Sequence, residues 1–288
     1  MLTADNWKDY ELIDCGGGER LERWKDAVLV RPDPQAIWPR REGLSLWDRP
    51  DARYSRSSAG GGKWELGSIE KDGWEIGYGG LKFRVKPMNF KHTGVFPEQA
   101  VNWDFTAGLV RDAGREISVL NLFGYTGCAT LALLEAGASV CHVDAAKGMV
   151  DWARSNAALS GFAEKPVRWI VDDCMKFIER EIRRGKKYEG IIMDPPSYGR
   201  GPSGEIWKLE DDLYRLVSRA SLLLSDRPLF FLLNTYTSGL APSVGGYVVE
   251  SVVGSRLGGT TESLEIGLKA SATGLSLPCG ATTRWQAD

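Results

Sequence analysis

Short apolar runs alternate with helix-spaced apolar positions in the second part of the chain, from residue 94 onwards. The runs span residues 117–123, 139–144, 167–171, 188–193, 229–233, 260–268 and 281–285. Between them, apolar side chains recur at helical spacing over residues 129–138, 146–160, 175–182 and 210–224. Strands and helices that alternate in this way predict an α/β fold, with a doubly wound, mostly parallel sheet. The last two runs are expected to close the sheet as a hairpin.

Residues 1–93 have a different pattern, because glycine and proline interrupt them often. Short runs at residues 27–30, 63–66, 74–78 and 81–85 are bounded by turn residues and predict strands. We therefore expect a small β-rich N-terminal domain over residues 1–93, which binds substrate or acts as a lid. A larger domain is expected over residues 94–288. The glycine-rich stretch near residue 60 is expected to be a flexible loop.

Composition narrows the class of protein. The chain has 36 Lys and Arg against 38 Asp and Glu, which excludes a globally cationic nucleic-acid binder. Five cysteines without a C-x-x-C pair predict reduced thiols, and two separated histidines predict no metal site. No apolar stretch reaches membrane-spanning length, and the first residues lack a secretory pattern. We therefore expect a cytoplasmic protein that does not enter a membrane.

The residues just after each predicted strand are the candidate ligand site, because ligands bind beyond the carboxyl ends of parallel strands. The first strand leads into a turn with Gly124 and Gly127 three residues apart. Such glycines let the backbone approach a ligand and lead into a helix N-terminus that favours anions. The spacing matches neither the phosphate loop nor the G-x-G-x-x-G turn of dinucleotide sites. A tight turn without a ligand is the alternative.

Acidic residues end the next two predicted strands. Asp144 ends the second strand, where a carboxylate can accept both hydroxyls of a ribose, and it can also cap the next helix. Asp172 and Asp173 follow the third strand, where a carboxylate can accept from an amino group such as adenine N6. We expect one of this pair to cap a helix, and we favour Asp173 for the adenine contact.

The fourth strand runs into Asp194, Pro195 and Pro196, followed by Ser197 and Tyr198. Two consecutive prolines remove two N–H donors and restrict the backbone, which leaves a rigid rim of carbonyl groups and one carboxylate. A simple loop breaker is the alternative. Together, the strand ends describe a pocket for an adenosine that carries a carboxylate and no pyrophosphate. This favours S-adenosylmethionine over a nicotinamide dinucleotide.

These motifs resemble those of the class I S-adenosylmethionine-dependent methyltransferases, in particular the branch with the bacterial 23S ribosomal RNA methyltransferases, over roughly residues 82–285. Residues 119–138 are similar to the family's first motif, and residues 91–99 to an element that covers the methionine end of the cofactor. The resemblance implies a Rossmann-like sheet of seven strands. It also implies these cofactor-binding residues: Phe96, Gln99, Asn121, Phe123, Gly124, Tyr125, Thr126, Gly127, Asp144, Asp172, Asp173, Cys174 and Asp194.

The same resemblance implies methyl transfer to a base of RNA, ribosomal RNA above all. The residues it implies for the reaction are Asp194, Pro195, Pro196 and Tyr198. Tyr198 is expected to stack on a flipped or single-stranded base. Ser197 stands where amino-group methyltransferases with this motif carry an aromatic residue, and no cysteine lies between residues 174 and 279. The missing cysteine disfavours a cysteine-dependent C5 mechanism, with Cys128 or Cys174 as the alternative nucleophile. The target atom stays open.

Two basic stretches are candidates for phosphate contacts. They are residues 40–63 and the set Lys82, Arg84, Lys86 and Lys91. The alternative is that both are solvated strand faces. Residues 198–209 are the candidate substrate gate. A methyltransferase of a protein or small molecule, a nicotinamide-dependent oxidoreductase and a non-catalytic cofactor-binding module are the alternative functions.

Overall fold

A computed structural model of the chain describes residues 1–57, 61–200, 206–237 and 239–288, with Arg200 described by its backbone alone. The described residues form two compact units. The first unit holds Met1–Val101 and Ile266–Cys279, and the second holds Asn102–Glu265 and Gly280–Asp288. Part of the loop predicted near residue 60 lies outside the described residues.

The first unit is built from short strands, as its turn-rich sequence predicts. Its strands are β1 (Leu2–Thr3), β2 (Tyr10–Gly16), β3 (Glu19–Trp24), β4 (Ala27–Pro32), β5 (Ala52–Arg56), β6 (Gly62–Leu66), β7 (Trp74–Tyr78) and β8 (Leu81–Val85). Strands β2 to β6 form one sheet in chain order, and β7 pairs with β8 in a separate hairpin. The four strands predicted in this region are therefore confirmed. Two short 3₁₀ helices also occur, Ser45–Trp47 and Pro97–Gln99.

The second unit carries the α/β fold that the apolar runs predict. Its strands are β9 (Ser118–Leu122), β10 (Ser139–Asp144), β11 (Val167–Val171), β12 (Gly190–Met193), β13 (Tyr198–Arg200), β14 (Ile206–Lys208) and β15 (Phe230–Thr235). Two final strands are shared with the first unit: β16 (Thr260–Lys269) ends there and β17 (Ser276–Gln286) starts there. The helices are α1 (Ala100–Asp112), α2 (Cys128–Glu135), α3 (Lys147–Leu159), α4 (Cys174–Arg183), α5 (Leu209–Ser221), α6 (Pro242–Val249) and α7 (Ser255–Leu257), with a π-helical turn at Glu250–Gly254.

The large sheet confirms the predicted fold class. Its order is β11-β10-β9-β12-β15-β17-β16-β1 within the described part of the chain. The first five strands of this order are parallel to one another, and β17 runs antiparallel to β15. All seven predicted strands are present, and the two-residue β1 adds an eighth at the edge.

Both faces of the sheet are covered, which explains why its strands are apolar throughout rather than alternating. Leu120 and Met193 belong to the core cluster on one face, whereas Val119 and Ile192 belong to the cluster on the other. Helices pack on both clusters, so the sheet is doubly wound.

The predicted boundary at residue 93 differs from the division into compact units. The tip of the β16–β17 hairpin belongs to the first unit. There β1 pairs with Ile266 and Gly267, and the backbone N–H of Ser271 donates to the carbonyl of Leu12 at 2.9 Å. A single cut along the chain cannot describe such an exchange of segments. A boundary between independently folding domains at residue 93 therefore stays a hypothesis.

Candidate active site

The candidate site lies at the carboxyl edge of the large sheet, where the strand order reverses. Strand β9 has β10 on one side and β12 on the other, and doubly wound sheets bind ligands at such a reversal. Leu122, the last residue of β9, is level with the residue before Asp144 and with the residue before Asp194. Phe123, Asp144 and Asp194 therefore follow three adjacent strands side by side, at a strand spacing of about 4.8 Å.

The loop after β9 has a constrained backbone. Phe123 and Tyr125 have φ angles of 57° and 51°, and Gly127 has a φ of 88°. A left-handed conformation costs a non-glycine residue about 1–2 kcal/mol and persists where surrounding contacts enforce it, as at ligand-binding sites. Gly124 is required for a separate reason, because a Cβ atom there would lie 2.4 Å from the ring of His142. Neither glycine can be replaced without strain.

Asn121 is buried rather than open to a ligand. Its side-chain amide donates to Thr130 Oγ1 at 2.9 Å, and the same hydroxyl lies 2.9 Å from His142 Nδ1. Burial lowers the pKa of His142 to about 3, so this imidazole is neutral at physiological pH. The structure thus gives the Asn121 side chain a role in supporting the loop. The cofactor contact that the resemblance implies for Asn121 stays a prediction.

Asp144 is held by two backbone groups. Its Oδ2 accepts from the N–H of Tyr125 at 2.9 Å, and its Oδ1 accepts from the N–H of Ala146 at 2.8 Å. Burial raises the pKa of this carboxyl, and the two hydrogen bonds oppose that shift. The bond to Ala146 makes a local turn ahead of α3 rather than a helix cap, because Ala146 is itself the cap residue. Each carboxylate oxygen can accept a further donor, so the group remains suited to a ribose diol.

The two acidic residues after β11 have different partners. Asp173 caps α4, where its Oδ1 accepts from the N–H of Lys176 at 2.9 Å. This confirms that one of the pair is a cap, and the exposed Asp173 can still accept through Oδ2. Asp172 is ion-paired with Arg180, and its place in the cofactor site stays a prediction. The thiol of Cys174 is buried, and its burial raises its pKa far above the usual value.

Other loop residues are also packed into the protein. Thr126 is fully buried, its carbonyl accepts from the side-chain amide of Asn156 at 2.9 Å, and its hydroxyl lies near the Cys128 thiol. Burial raises the pKa of Cys128 to about 12, so neither Cys128 nor Cys174 is a reactive thiolate. Thr126 therefore contributes backbone shape rather than an open side chain.

The rim after β12 combines a half-buried carboxylate with an occupied carbonyl. Asp194 is half-buried, Pro195 is buried and Pro196 is exposed. The carbonyl of Pro196, which the sequence predicts to face a substrate, accepts from the indole N–H of Trp207 at 2.6 Å, so one of its two acceptor positions is already used. The Trp207 ring centroid lies 6.4 Å from that of Phe123. Trp207 therefore connects the rim to the loop after β9.

Ser197 anchors this rim to the end of β15. Its hydroxyl accepts from Thr237 Oγ1 at 2.8 Å, and its carbonyl accepts from the N–H of Leu209 at 3.0 Å. Tyr198 begins β13, which pairs with β14 in a hairpin, and half of its side-chain surface is exposed. Residues 201–205 of the predicted gate lie outside the described residues.

Phe96 and Gln99 belong to the first unit. Phe96 is half-buried with its ring 5.3 Å from that of His92, and Gln99 is buried in the 3₁₀ helix Pro97–Gln99. Their implied contact with the methionine end of the cofactor stays a prediction.

The basic stretches are only partly available for phosphate. Lys82, Arg84 and Lys86 alternate on the exposed side of β8 and beyond it. Lys91 is less exposed: its Nζ donates to the carbonyl of Pro32 at 3.0 Å, and burial lowers its pKa to about 8. In the other stretch, Arg40 and Arg53 both form ion pairs with Glu19.

Sequence reasoning missed Thr130 and His142. The one signal was a histidine inside the apolar run at residues 139–144, because a polar residue in a fully buried strand needs a partner.

The described residues contain no group of three or more His, Cys, Asp or Glu that could hold a metal. None of the helices in the described ranges is long and apolar enough to cross a bilayer.

The donors and acceptors at the edge fit S-adenosylmethionine. The loop of residues 123–127 brings backbone close to the strand ends, Asp144 offers acceptors for a diol, and Asp173 offers one for an amino group. These are the groups that a carboxylate-bearing adenosine requires, without provision for a pyrophosphate.

Comparison with known proteins agrees with this chemistry. A family model described as S-adenosylmethionine-dependent methyltransferase matches residues 31–240. The ribosomal RNA large subunit methyltransferase K/L of Methylococcus capsulatus is 36% identical over 121 residues, which are 42% of this chain and 16% of that protein. The protein of the same name from Shewanella frigidimarina is 29% identical over 233 residues, 78% of this chain and 31% of that protein. The chain thus spans less than a third of these relatives' length.

Solved structures agree as well. The crystal structure of a SAM-dependent methyltransferase from Agrobacterium tumefaciens is 35% identical and superposes with a TM-score of 0.94, covering 100% of this chain and 93% of that one. A structure from Streptococcus mutans, proposed to be a SAM-dependent methyltransferase, shares the fold at 17% identity with a TM-score of 0.75, covering 98% of this chain and 76% of that one. The chain therefore belongs to the S-adenosylmethionine-dependent methyltransferase family, and S-adenosylmethionine is its cofactor.

Proposed function

We propose that this protein transfers a methyl group from S-adenosylmethionine to a base of RNA. The RNA in this proposal is that of the large ribosomal subunit. The observation that carries the proposal is the half-buried carboxylate of Asp194 at the strand-order reversal, beside a rigid proline rim. The names of the curated relatives support the RNA part of the proposal.

The strand ends hold the cofactor in this proposal. Asp144 accepts from the ribose hydroxyls, Asp173 accepts from the adenine amino group, and the loop of residues 123–127 contacts the remainder through its backbone. Phe96 and Gln99 contact the methionine end. When bound, S-adenosylmethionine supplies an electrophilic methyl group on a sulfonium.

The rim positions the acceptor base. Asp194 accepts hydrogens of the attacking group, which orients that group and withdraws it from water. Pro195 and Pro196 keep the carboxylate in a fixed place, because their backbone is restricted and the Pro196 carbonyl is tied to Trp207. Tyr198, half exposed on the β13–β14 hairpin, stacks on the base or on its neighbour.

The first unit contributes phosphate contacts. Lys82 and Arg84 on β8 and Lys86 just after it are exposed, and each carries a charge that can neutralise a phosphate. The five cysteines are free thiols, which agrees with the reducing cytoplasm where ribosomal RNA is modified. We therefore propose residues 1–93 as a substrate-binding domain that acts in the cytoplasm.

The test is methyl transfer from labelled S-adenosylmethionine to ribosomal RNA taken from a strain that lacks this gene. We expect label in one nucleoside with the wild-type protein and none with Asp194→Asn, which keeps the size of the side chain but removes its charge. Mass spectrometry of the nucleosides identifies the target. Label in protein or small molecules but not in RNA refutes the RNA substrate, and tight binding of NAD without binding of S-adenosylhomocysteine refutes methyl transfer itself.

A further inference from the structure

Two buried asparagines and the half-buried Arg284 form a hydrogen-bonded chain in the second unit, outside the residues used above. Arg284, on β17, donates from Nε and Nη2 to Asn102 Oδ1 at 3.0 Å and 2.8 Å. Asn102, on α1, donates from Nδ2 to Asn234 Oδ1 at 2.9 Å. Thr282 adds a donor to the same Asn102 oxygen at 3.1 Å.

The direction of these hydrogen bonds is determined by the arginine. A guanidinium has only donors, so the Asn102 atom that faces Arg284 must be the oxygen. The amide nitrogen of Asn102 then faces Asn234 and must meet an oxygen there. Burial lowers the pKa of Arg284 to about 10, which still leaves it protonated at neutral pH. The orientation of both amides therefore follows from the donors of the guanidinium.

The chain of hydrogen bonds ends at the amide nitrogen of Asn234. Only 3% of this residue is exposed, and no acceptor for its Nδ2 exists among the residues that the structure describes. The Nδ2 atom itself is not fully enclosed, so it retains accessible surface. A donor that is almost buried, unpaired and still accessible is arranged to meet an acceptor from outside the chain.

Asn234 lies beside Asp194. The last residue of β12, Met193, pairs with Leu233 of β15, so Asp194 and Asn234 follow on adjacent parallel strands. Ile192 and Leu232, two residues earlier, belong to the same core cluster, and side chains alternate along a strand. Asp194 and Asn234 therefore lie level on the same face of the sheet edge, one an acceptor and the other a donor.

We propose that Asn234 donates a hydrogen bond to the acceptor base, and that Asn102 and Arg284 are positioning residues that keep its amide in this orientation. The ligand is the edge of a nucleobase on which a hydrogen-bond donor lies next to an acceptor: the donor meets Asp194 and the acceptor meets Asn234. This inference deepens the proposed function and rests on it.

The test inverts the chain of hydrogen bonds. In Asn102→Asp, one carboxylate oxygen still accepts from Arg284, but the other now faces Asn234, whose amide must turn and present its oxygen to the substrate. We expect unchanged binding of S-adenosylhomocysteine, an unfolding midpoint no lower than that of wild type because the new carboxylate pairs with Arg284, and a kcat/KM for RNA lower by roughly 10- to 100-fold. Thr282→Val is the matched control, because it removes a hydrogen bond to Asn102 without reversing the chain, and it should keep the wild-type kcat/KM.

A second measurement needs no substrate. The side-chain amide protons of Asn234 should exchange with solvent faster than those of Asn102 in the wild-type protein, and those of Asn234 should become protected in Asn102→Asp, as followed by nitrogen-15 NMR. An unchanged kcat/KM in Asn102→Asp, or protected Asn234 amide protons in wild type, overturns the inference. Absence of RNA methylation by wild type refutes the proposed function instead, and the exchange measurement still decides whether Asn234 presents a donor.

Discussion

Replacing Gly124 by alanine tests whether the loop after β9 owes its shape to close packing on His142. The added Cβ would lie 2.4 Å from Cε1 and 2.5 Å from Nδ1 of that ring. The ring cannot yield easily, because His142 is fully buried and its Nδ1 is hydrogen-bonded to Thr130. Either the loop backbone or the ring must move, and both support the candidate site.

The size of the effect follows from these contacts. Overpacking in a core costs about 1–3 kcal/mol, and loss of the His142–Thr130 hydrogen bond adds about 0.5–1.5 kcal/mol. We therefore expect Gly124→Ala to lower the free energy of unfolding by about 1.5–4.5 kcal/mol, measured by urea denaturation. Calorimetry should also show weaker binding of S-adenosylhomocysteine, because the loop is displaced from its position beside Asp144.

Two further variants make this reasoning refutable. Gly148→Ala is the matched control, since nothing lies within 4 Å of a Cβ at that exposed helical position and it should leave stability unchanged or slightly higher. In Gly124→Ala/His142→Ala the clash is gone, so the double variant should be less destabilised than the sum of the two single changes. Strict additivity, or a Gly124→Ala protein as stable as Gly148→Ala, refutes the packing explanation.

Other predictions concern the carboxylates, the tryptophan and pH. Asp144→Asn should weaken S-adenosylhomocysteine binding by roughly tenfold in calorimetry, because a charged acceptor becomes a neutral amide; wild-type affinity would contradict a role in holding the ribose. Asp194→Ala should bind S-adenosylhomocysteine normally yet lose methyl transfer in the labelling assay, and unchanged turnover would contradict its role. Trp207→Phe keeps the ring but removes the donor to Pro196, and should lower methyl transfer more than cofactor affinity; equal losses would contradict a role in positioning the rim. The pKa of His142 is about 3 in the folded protein against about 6.5 when unfolded, so the unfolded state takes up the proton first as pH falls. Stability should therefore fall below pH 6.5, by about 2 kcal/mol at pH 5 from this residue, and urea denaturation should show a smaller loss in His142→Gln.

The apolar pattern determined the sheet. A strand buried on both faces must be apolar throughout, and this constraint is local enough to be read from consecutive residues, as at 139–144 and 229–233. Parallel strands also bring their carboxyl ends to one edge of the sheet, so the sequence alone predicts that Asp144 and Asp194 converge there. The first unit was predictable in its hairpins, but not in its exchange with residues 266–279, because that contact joins distant parts of the chain.

Tertiary structure alone decided which polar groups at the edge are open to a ligand. Asn121 donates to Thr130, Asp172 pairs with Arg180 and the carbonyl of Pro196 accepts from Trp207, and a sequence pattern shows none of these partners. The sequence pattern did not select Asn234. Arg284 orients the amide of Asn102, which in turn orients the amide of Asn234 so that its nitrogen is an accessible donor. The physical reason is that backbone periodicity follows from neighbours in the sequence, whereas the partner of a buried hydrogen-bonding group can come from any part of the chain that packs against it.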